Sequence, residues 1–394
     1  MIFKRKIEPI LADQLESKEI IVLTGMRRVG KTTLYKSIFD QIKSDNKVFL
    51  DIENPIEQKI FEEKDYNNIW ANLKHYGISH EHKAFIFLDE IQAFPEIVKA
   101  IKYLYDHYDV KFFLTGSSSY YLKNLFPESL SGRKIVFELF PLDFEEFLIF
   151  RNLEPAFPFE LLDKEHGKNE IHYEKTQKYY DEYLEYGGFP QVVLAENYEQ
   201  KKLYLNDIFK SYFEKDVQSI ADFRDINAFR DLLLLLLQRV GAKLDISKLS
   251  SEIGVSRETI YSYLAFLQGT YFIYLVPPFS RNVDREVSGA KKIYICDNGI
   301  ANQFSKVNEG GLFENAIFLN LKKYGEIRYY QRRSGGEIDF ILPDRKAAIE
   351  VKLSGSDAEL KKLSSLSKAL SLKEYYIVSK EFIDKNRFIP AVNL

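Results

Sequence analysis

The residues with the clearest chemical capacity lie in Ile20 to Leu34, IIVLTGMRRVGKTTL, where Gly25 is followed after four residues by Gly30-Lys31-Thr32. Two glycines at this spacing let a loop turn backbone N–H groups inward around phosphates. The lysine supplies a point charge for the β and γ phosphates, and the threonine hydroxyl is a ligand for Mg²⁺. The segment predicts a nucleoside triphosphate site built by Gly25, Met26, Arg27, Arg28, Val29, Gly30, Lys31, Thr32 and Thr33. A second capable pair is Asp89-Glu90, which ends the apolar run Ala84 to Leu88. Asp89 there completes the Mg²⁺ shell, directly or through water, and Glu90 is the candidate base for the attacking water.

Such groups need a parallel sheet to place them. Ile20 to Thr24 reads as a buried strand, and Leu34, Ile38 and Ile42 recur at helical spacing after the glycine loop. Lys111 to Leu114 is a third strand and leads into Thr115-Gly116-Ser117-Ser118-Ser119. Open α/β sheets bind ligands at the C-terminal tips of their strands, where all these polar groups fall. Strand and helix signals alternate from Glu19 to about Phe140, as a sheet wrapped by helices requires.

At 394 residues, 45% apolar and 29% charged, the chain is long enough for two to four folded domains. The single cysteine, Cys296, excludes an intrachain disulfide framework and points to a reducing cytoplasm. The start, MIFKRKIEPI, lacks an apolar secretory core. Leu232 to Leu237 is far shorter than the roughly 20 residues of a membrane span, so no membrane partner is expected. A net charge of -3 argues against a uniformly basic nucleic-acid coat. From Arg281 onward 20 Lys and Arg face 15 Asp and Glu, an excess that permits DNA contact and equally suits an ordinary solvated surface.

The runs GMRRVGKTTL, FIFLDEIQAFP, FFLTGSSSYYL and LSGRKIVFELFPLDFEEFL resemble a bacterial and archaeal family of AAA-like P-loop ATPases. That resemblance implies ATP rather than GTP, and Ser117 or Ser118 as the sensor of the γ phosphate. It also implies Arg133 as a candidate phosphate-facing arginine, in its own or a neighbouring subunit. No guanine-specifying Asn-Lys-x-Asp sequence is evident.

Beyond the core, Asp143 to about Phe229 reads as largely helical, with Tyr179, Tyr183 and Tyr186 at helical spacing before Gly187-Gly188-Phe189-Pro190. This stretch suits a helical lid. Asp245 to Gln268 reads as helix, turn at Gly254, and a second helix capped by Ser256, with Leu249, Ile253, Val255, Ile260 and Leu264 inward. The strand-like Tyr271 to Val276 extends it to a winged helix. Arg257, Glu258, Tyr261 and Ser262 would lead into DNA, though only Arg257 is basic, so packing or protein contact stands as an alternative.

Further on, one strand presents Asp339, and a second, after Pro343-Asp344, presents Glu350 and Lys352 on one face. Two carboxylates hold Mg²⁺ while a lysine stabilises developing charge in phosphodiester cleavage, and Glu314 is a fourth candidate. The Asp, then Glu-x-Lys pattern resembles the restriction-endonuclease-like superfamily, and the C-terminal half of the ATPase family above resembles that fold. Cleavage and a fold retained for binding are both compatible with it.

The sequence thus predicts an α/β chain: an AAA-like P-loop ATPase core at 1–142, a helical lid at 143–228, a winged helix-turn-helix at 229–280 and a restriction-endonuclease-like domain at 281–394. The function expected is Mg²⁺-dependent ATP hydrolysis coupled to DNA. The alternative is a nucleotide-operated switch that docks partner proteins, turns over slowly and does not cut. Assembly into a homo-oligomer is compatible with either.

Overall fold

A computed structural model describes residues 3–117, 130, 132–155, 168–217, 225–280, 286, 289–332 and 335–394. The chain divides into two compact units, Met1–Phe140 with Gly269–Tyr271, and Pro141–Gln268 with Phe272–Leu394.

The first unit is built on five parallel strands: β1 (Ile20–Thr24), β2 (Lys47–Asp51), β3 (Ala84–Asp89), β4 (Val110–Gly116) and β5 (Lys134–Glu138). Their order is β2-β3-β4-β1-β5. Strands β1, β3 and β4 are buried on both faces, which is why they read as continuous apolar runs rather than alternating ones. One face packs Ile86, Leu88, Phe112 and Leu114 into the main core. On the other, the rings of Phe87 and Phe113 stack at 4.4 Å. Tyr35 meets both edge-on at 5.6 and 5.7 Å, and Phe39 meets Phe87 at 5.5 Å. Residues four apart share one side of a helix, so Tyr35 and Phe39 together fix the helix Lys31–Gln41 on the sheet.

The second unit contains helices Glu170–Tyr186, Tyr198–Ser211 and Ile226–Gln238. On the first, Tyr173, Tyr180, Tyr183 and Tyr186 are buried, whereas Tyr179 is only half-buried. Gly187-Gly188 ends that helix against a buried aspartate. The Gly188 N–H donates to Asp297 Oδ2 at 2.6 Å, and Ile300 N–H donates to Oδ1 at 3.1 Å. A Cβ on Gly187 would lie 2.1 Å from Asp297. Burial pushes the Asp297 carboxyl up to about 6 despite its backbone donors.

Asp245 caps the helix Ile246–Ile253, Gly254 turns the chain at φ +78°, and the Thr259 N–H donates to Ser256 Oγ at 3.1 Å as the helix Arg257–Gly269 begins. Leu249, Ile260 and Leu264 are buried, Ile253 and Val255 half-buried, and Arg257, Glu258, Tyr261 and Ser262 exposed. Strand β6 (Ile273–Val276) follows and pairs antiparallel with β7 (Lys292–Ile295). This pairing joins segments that the sequence reading separated at 280/281. The unit ends in a mixed five-stranded sheet, β8 (Arg328–Gln331), β9 (Glu337–Leu342), β10 (Ala347–Lys352), β11 (Glu374–Ser379) and β12 (Phe388–Pro390), in the order β12-β11-β10-β9-β8. The helix Asp357–Ala369, opened by a capping box of Ser356 and Glu359, packs Leu363 and Leu366 against this sheet. Among the described residues no helix is long and apolar enough to cross a membrane.

Candidate functional site

The loop between β1 and the helix Lys31–Gln41 has the backbone that its glycines permit. Gly25 has φ +152°, and a Cβ there would lie 2.0 Å from the Leu139 carbonyl oxygen, so only glycine lets the loop begin this close to the chain after β5. Gly30, at φ +97°, opens the helix with nothing crowding its Cα. Met26 and Val29 are buried wall, Arg27 lies 3.6 Å from Glu53, Arg28 is exposed at φ 67°, and Thr33 is exposed. Lys31 is 4% exposed, and its ammonium donates to the Gly25 and Met26 carbonyls at 3.0 Å each. The cation therefore sits inside the loop, where the β and γ phosphates are expected.

The parallel register of β1, β4 and β3 brings the other polar groups to the same sheet edge. Thr32 Oγ1 donates to Asp89 Oδ2 at 2.7 Å, Thr115 Oγ1 donates to Asp89 Oδ1, and the Glu90 N–H donates to Thr115 Oγ1 at 2.9 Å. Burial raises the Asp89 carboxyl, with the Thr115 and Thr32 hydrogen bonds pulling it back and Glu90 adding repulsion. Gln92 Nε2 donates to Glu90 Oε2 and, at 3.2 Å, to Ser117 Oγ. The candidate base and the candidate sensor are thus joined through one amide. Glu90 itself has φ 53°, an uncommon conformation for a residue with a side chain. Gln92 and Thr115 were not singled out from sequence, although Gln92 stands two residues after Glu90. Ser118 lies outside the described residues.

Arg133 is not at this edge. Ile20 N–H donates to the Arg133 carbonyl, and Ile20 pairs with Lys134, so Arg133 stands at the opposite end of the sheet from Gly25. Five strand residues separate the two levels, roughly 16 Å. Its guanidinium is held by Asp106, Nε to Oδ1 at 2.8 Å. The expectation that Arg133 faces the phosphates of its own loop is therefore corrected: the parallel register of β5 carries it away.

The second constellation does assemble. Lys352 Nζ lies 2.8 Å from Glu350 Oε1, as their spacing on one strand face predicts. The β9–β10 ladder runs from Ala347–Leu342 to Ile349–Phe340, and beyond it the Val351 N–H donates to the Asp339 side chain at 2.9 Å. The centre of the cluster is a residue missed by sequence reasoning. Lys292, on β7 and 4% exposed, places its ammonium 3.2 Å from Glu314, 2.9 Å from Glu337 and 3.7 Å from Asp339. Tyr294 donates to Glu314 at 2.6 Å. Stacking of Tyr294 on Phe318 at 4.3 Å, with Phe340 5.4 Å from Tyr294, holds β7, the helix Glu309–Leu321 and β9 together. Burial alone would lower the Lys292 ammonium, but Glu314, Asp339 and Glu337 hold it above the usual lysine range. Glu350 is pushed up to about 7 by burial and by Asp339, against the pull of Lys352, and burial raises Glu314 as well.

The two candidate metal positions differ in fit. Thr32 and Asp89 offer hard oxygen donors side by side at the loop, the donor set Mg²⁺ takes in a triphosphate site. At the second position Lys292 contacts Glu314 and Asp339, Lys352 contacts Glu350 through Oε1 alone, and Asp339 spends one oxygen on backbone. Among the described residues no group of three or more His, Cys, Asp or Glu side chains could hold a metal ion. The expectation of Mg²⁺ at Asp339, Glu350 and Glu314 thus meets two lysines set among four carboxylates, with Glu350 Oε2 buried and without a hydrogen-bond partner.

Residues 17–148 match the family described as an AAA domain, residues 177–310 the domain of unknown function DUF8612, and residues 309–390 the domain of unknown function DUF4143. An uncharacterized protein of Methanocaldococcus jannaschii, MJ1544, is 30% identical over 350 residues, covering 86% of this chain and 75% of its own length. An uncharacterized protein of Haemophilus influenzae is 28% identical, covering 83% of this chain and 80% of its own length. Among solved structures, the Walker-type ATPase PABY2304 of Pyrococcus abyssi aligns at 15% identity and a TM-score of 0.44, covering 77% of this chain and 96% of that one. The chain carries an AAA-like P-loop ATPase domain on a parallel sheet, and it belongs to the same family as the M. jannaschii protein MJ1544.

Proposed function

We propose that this protein binds ATP with Mg²⁺ at Gly25–Thr33 and hydrolyses it. The observation that carries this reading is the continuous chain of polar contacts from Thr32 through Asp89, Thr115, Glu90 and Gln92 to Ser117, at the strand tips beside the loop. Lys31 would bind the β and γ phosphates, and Thr32 with Asp89 would hold Mg²⁺, which when bound neutralises phosphate charge and orients the γ phosphoryl group. Glu90 orients the attacking water and accepts its proton. Gln92 links that carboxylate to Ser117, so loss of the γ phosphate is felt at both. Lys31→Ala should lower ATP affinity at least roughly tenfold and abolish turnover, as loss of a buried cation facing phosphates requires. ATP titration calorimetry with a phosphate-release assay checks this, and undiminished affinity would refute the assigned loop.

For the second unit, we propose a winged helix, with β6 and β7 as its wing, beside a restriction-endonuclease-like fold retained for DNA binding without cutting. The ion pairs of Lys292 with Asp339 and Glu314 favour binding over cleavage, because they take up carboxylates that cleavage would need, while Glu350 is met by Lys352. Nucleotide state would then alter how these modules hold DNA. Phosphate contacts release counterions, so duplex affinity should fall roughly tenfold or more between about 50 and 200 mM salt. Fluorescence anisotropy with a labelled duplex, with ATP and with ADP, measures it. No affinity at low salt in either state would favour the protein-docking switch instead.

A further inference from the structure

Near the start of the chain, a buried arginine touches the nucleotide loop from behind. Arg5 is 7% exposed, and its two terminal nitrogens reach two distant carbonyls: Nη1 donates to Val29 at 2.9 Å, and Nη2 donates to Phe140 at 2.8 Å. Val29 is the residue before Gly30, inside the phosphate loop, and Phe140 follows β5. Three residues on, Glu8 accepts from Ser37 at 2.7 Å and Gln41 at 2.8 Å, both on the helix that the loop opens. Leu11 completes the anchorage in the core. One short segment therefore grips both the loop and its helix.

The Val29 contact has a stereochemical consequence. In a planar trans peptide the carbonyl and the following N–H point in opposite directions. A Val29 carbonyl taken by Arg5 leaves the Gly30 N–H turned away from Arg5, the orientation in which it would face a phosphate held by the loop. Inward N–H groups are what a phosphate loop uses to hold its ligand. Gly30, with no side chain and φ +97°, would otherwise be free to rotate this peptide. The Phe140 contact fixes the guanidinium against the chain beyond β5, where Gly25 also packs on Leu139.

We propose that Arg5 is a positioning residue of the nucleotide site, which preorganises the Val29–Gly30 peptide for phosphate binding from outside the loop. This rests on the reading of Gly25–Thr33 as an ATP site. The test compares wild type, Arg5→Lys and Arg5→Met in full-length protein, by calorimetric titration with Mg²⁺-ATP and by steady-state hydrolysis. Arg5→Met should raise Kd and KM by roughly 10- to 100-fold, the scale of one lost hydrogen bond to a charged group. Its kcat at saturating ATP should stay within about threefold, because Glu90 is untouched. Arg5→Lys keeps the buried charge and one donor, so it should fall between the two, and it serves if Arg5→Met does not fold. A purely structural Arg5 would lower the melting temperature and leave Kd and KM unchanged in the folded variants, and that result overturns the proposal. A wild type that binds no ATP refutes the nucleotide reading and this assignment with it, whereas binding that is equal in all three proteins refutes Arg5 alone.

Discussion

Replacing Glu90 by glutamine is expected to reduce ATP turnover by roughly 10²- to 10⁴-fold, the usual contribution of a positioned base. ATP affinity should remain within a few-fold of wild type. The reason lies in the geometry. The hydrogen bonds that hold Lys31 and Thr32 run to the Gly25 and Met26 carbonyls and to Asp89, so phosphate binding is expected to survive loss of the Glu90 charge. Its backbone N–H on Thr115 holds it in place, and a glutamine amide of the same shape can still meet Gln92 after a rotation. What the variant lacks is an acceptor for the proton of the attacking water. Phosphate release checks the rate and equilibrium titration checks the affinity; full turnover in Glu90→Gln would transfer the role of base to another group.

The second large effect is on stability. Lys292→Met removes the cation that lies among Glu314, Glu337 and Asp339 and leaves these carboxylates uncompensated. Breaking one partner of a buried ion pair costs about 3–5 kcal/mol. The Glu337 side chain is 35% exposed and its share is screened, so the lower part of that range applies. The cost depends on pH, with a definite sign. Glu350 has a folded pKa of about 7, above its ordinary 4.5, and Glu314 is raised as well. A carboxyl raised on folding contributes stability below its unfolded value, and that contribution is lost as pH rises through the folded one. Wild type should therefore lose stability between about pH 5 and pH 8. Lys292 holds the Glu314 carboxyl down, so without its ammonium Glu314 is raised further and the variant should lose more over the same interval. Urea denaturation at the two pH values measures both slopes. Equal destabilisation at pH 5 and pH 8 would mean that packing of the lysine stem, rather than its charge, is what Lys292 supplies.

Legibility in the sequence followed how local each arrangement is. The loop from Gly25 to Thr32 is contiguous, its strand is unbroken and its helix periodic, so motif and context agree before any folding is considered. Asp89 and Glu90 could be placed because a continuous apolar run ends at them. Glu350 and Lys352 could be paired because a strand repeats every two residues. The helices Ile246–Ile253 and Arg257–Gly269 could be bounded because Asp245, Gly254 and Ser256 mark their ends.

What escaped depends on register and on contacts between distant segments. Arg133 immediately precedes β5, and the β1–β5 register puts the start of that strand at the edge away from the loop. Lys292 arrives from β7, far from Asp339 in sequence, and its local surroundings read only as a strand with a lysine at its edge. Arg5 reaches the loop across the chain and carries no motif. Thr115 was seen as part of a polar cluster, but its bond to Asp89 follows from the pairing of β3 with β4. In each case the sequence supplied the residue type, and the tertiary fold supplied the partner.

The central claim, that Gly25–Thr33 with Asp89 and Glu90 forms a hydrolytic site for ATP, is tested most directly by identifying the nucleotide left on the protein. Wild type and Glu90→Gln would each be incubated with Mg²⁺-ATP, freed of excess nucleotide, denatured and separated by ion-exchange chromatography. ADP is expected from wild type and intact ATP from Glu90→Gln, at similar occupancy. Intact ATP from both would contradict hydrolysis at this site, and no nucleotide from either would contradict the site itself.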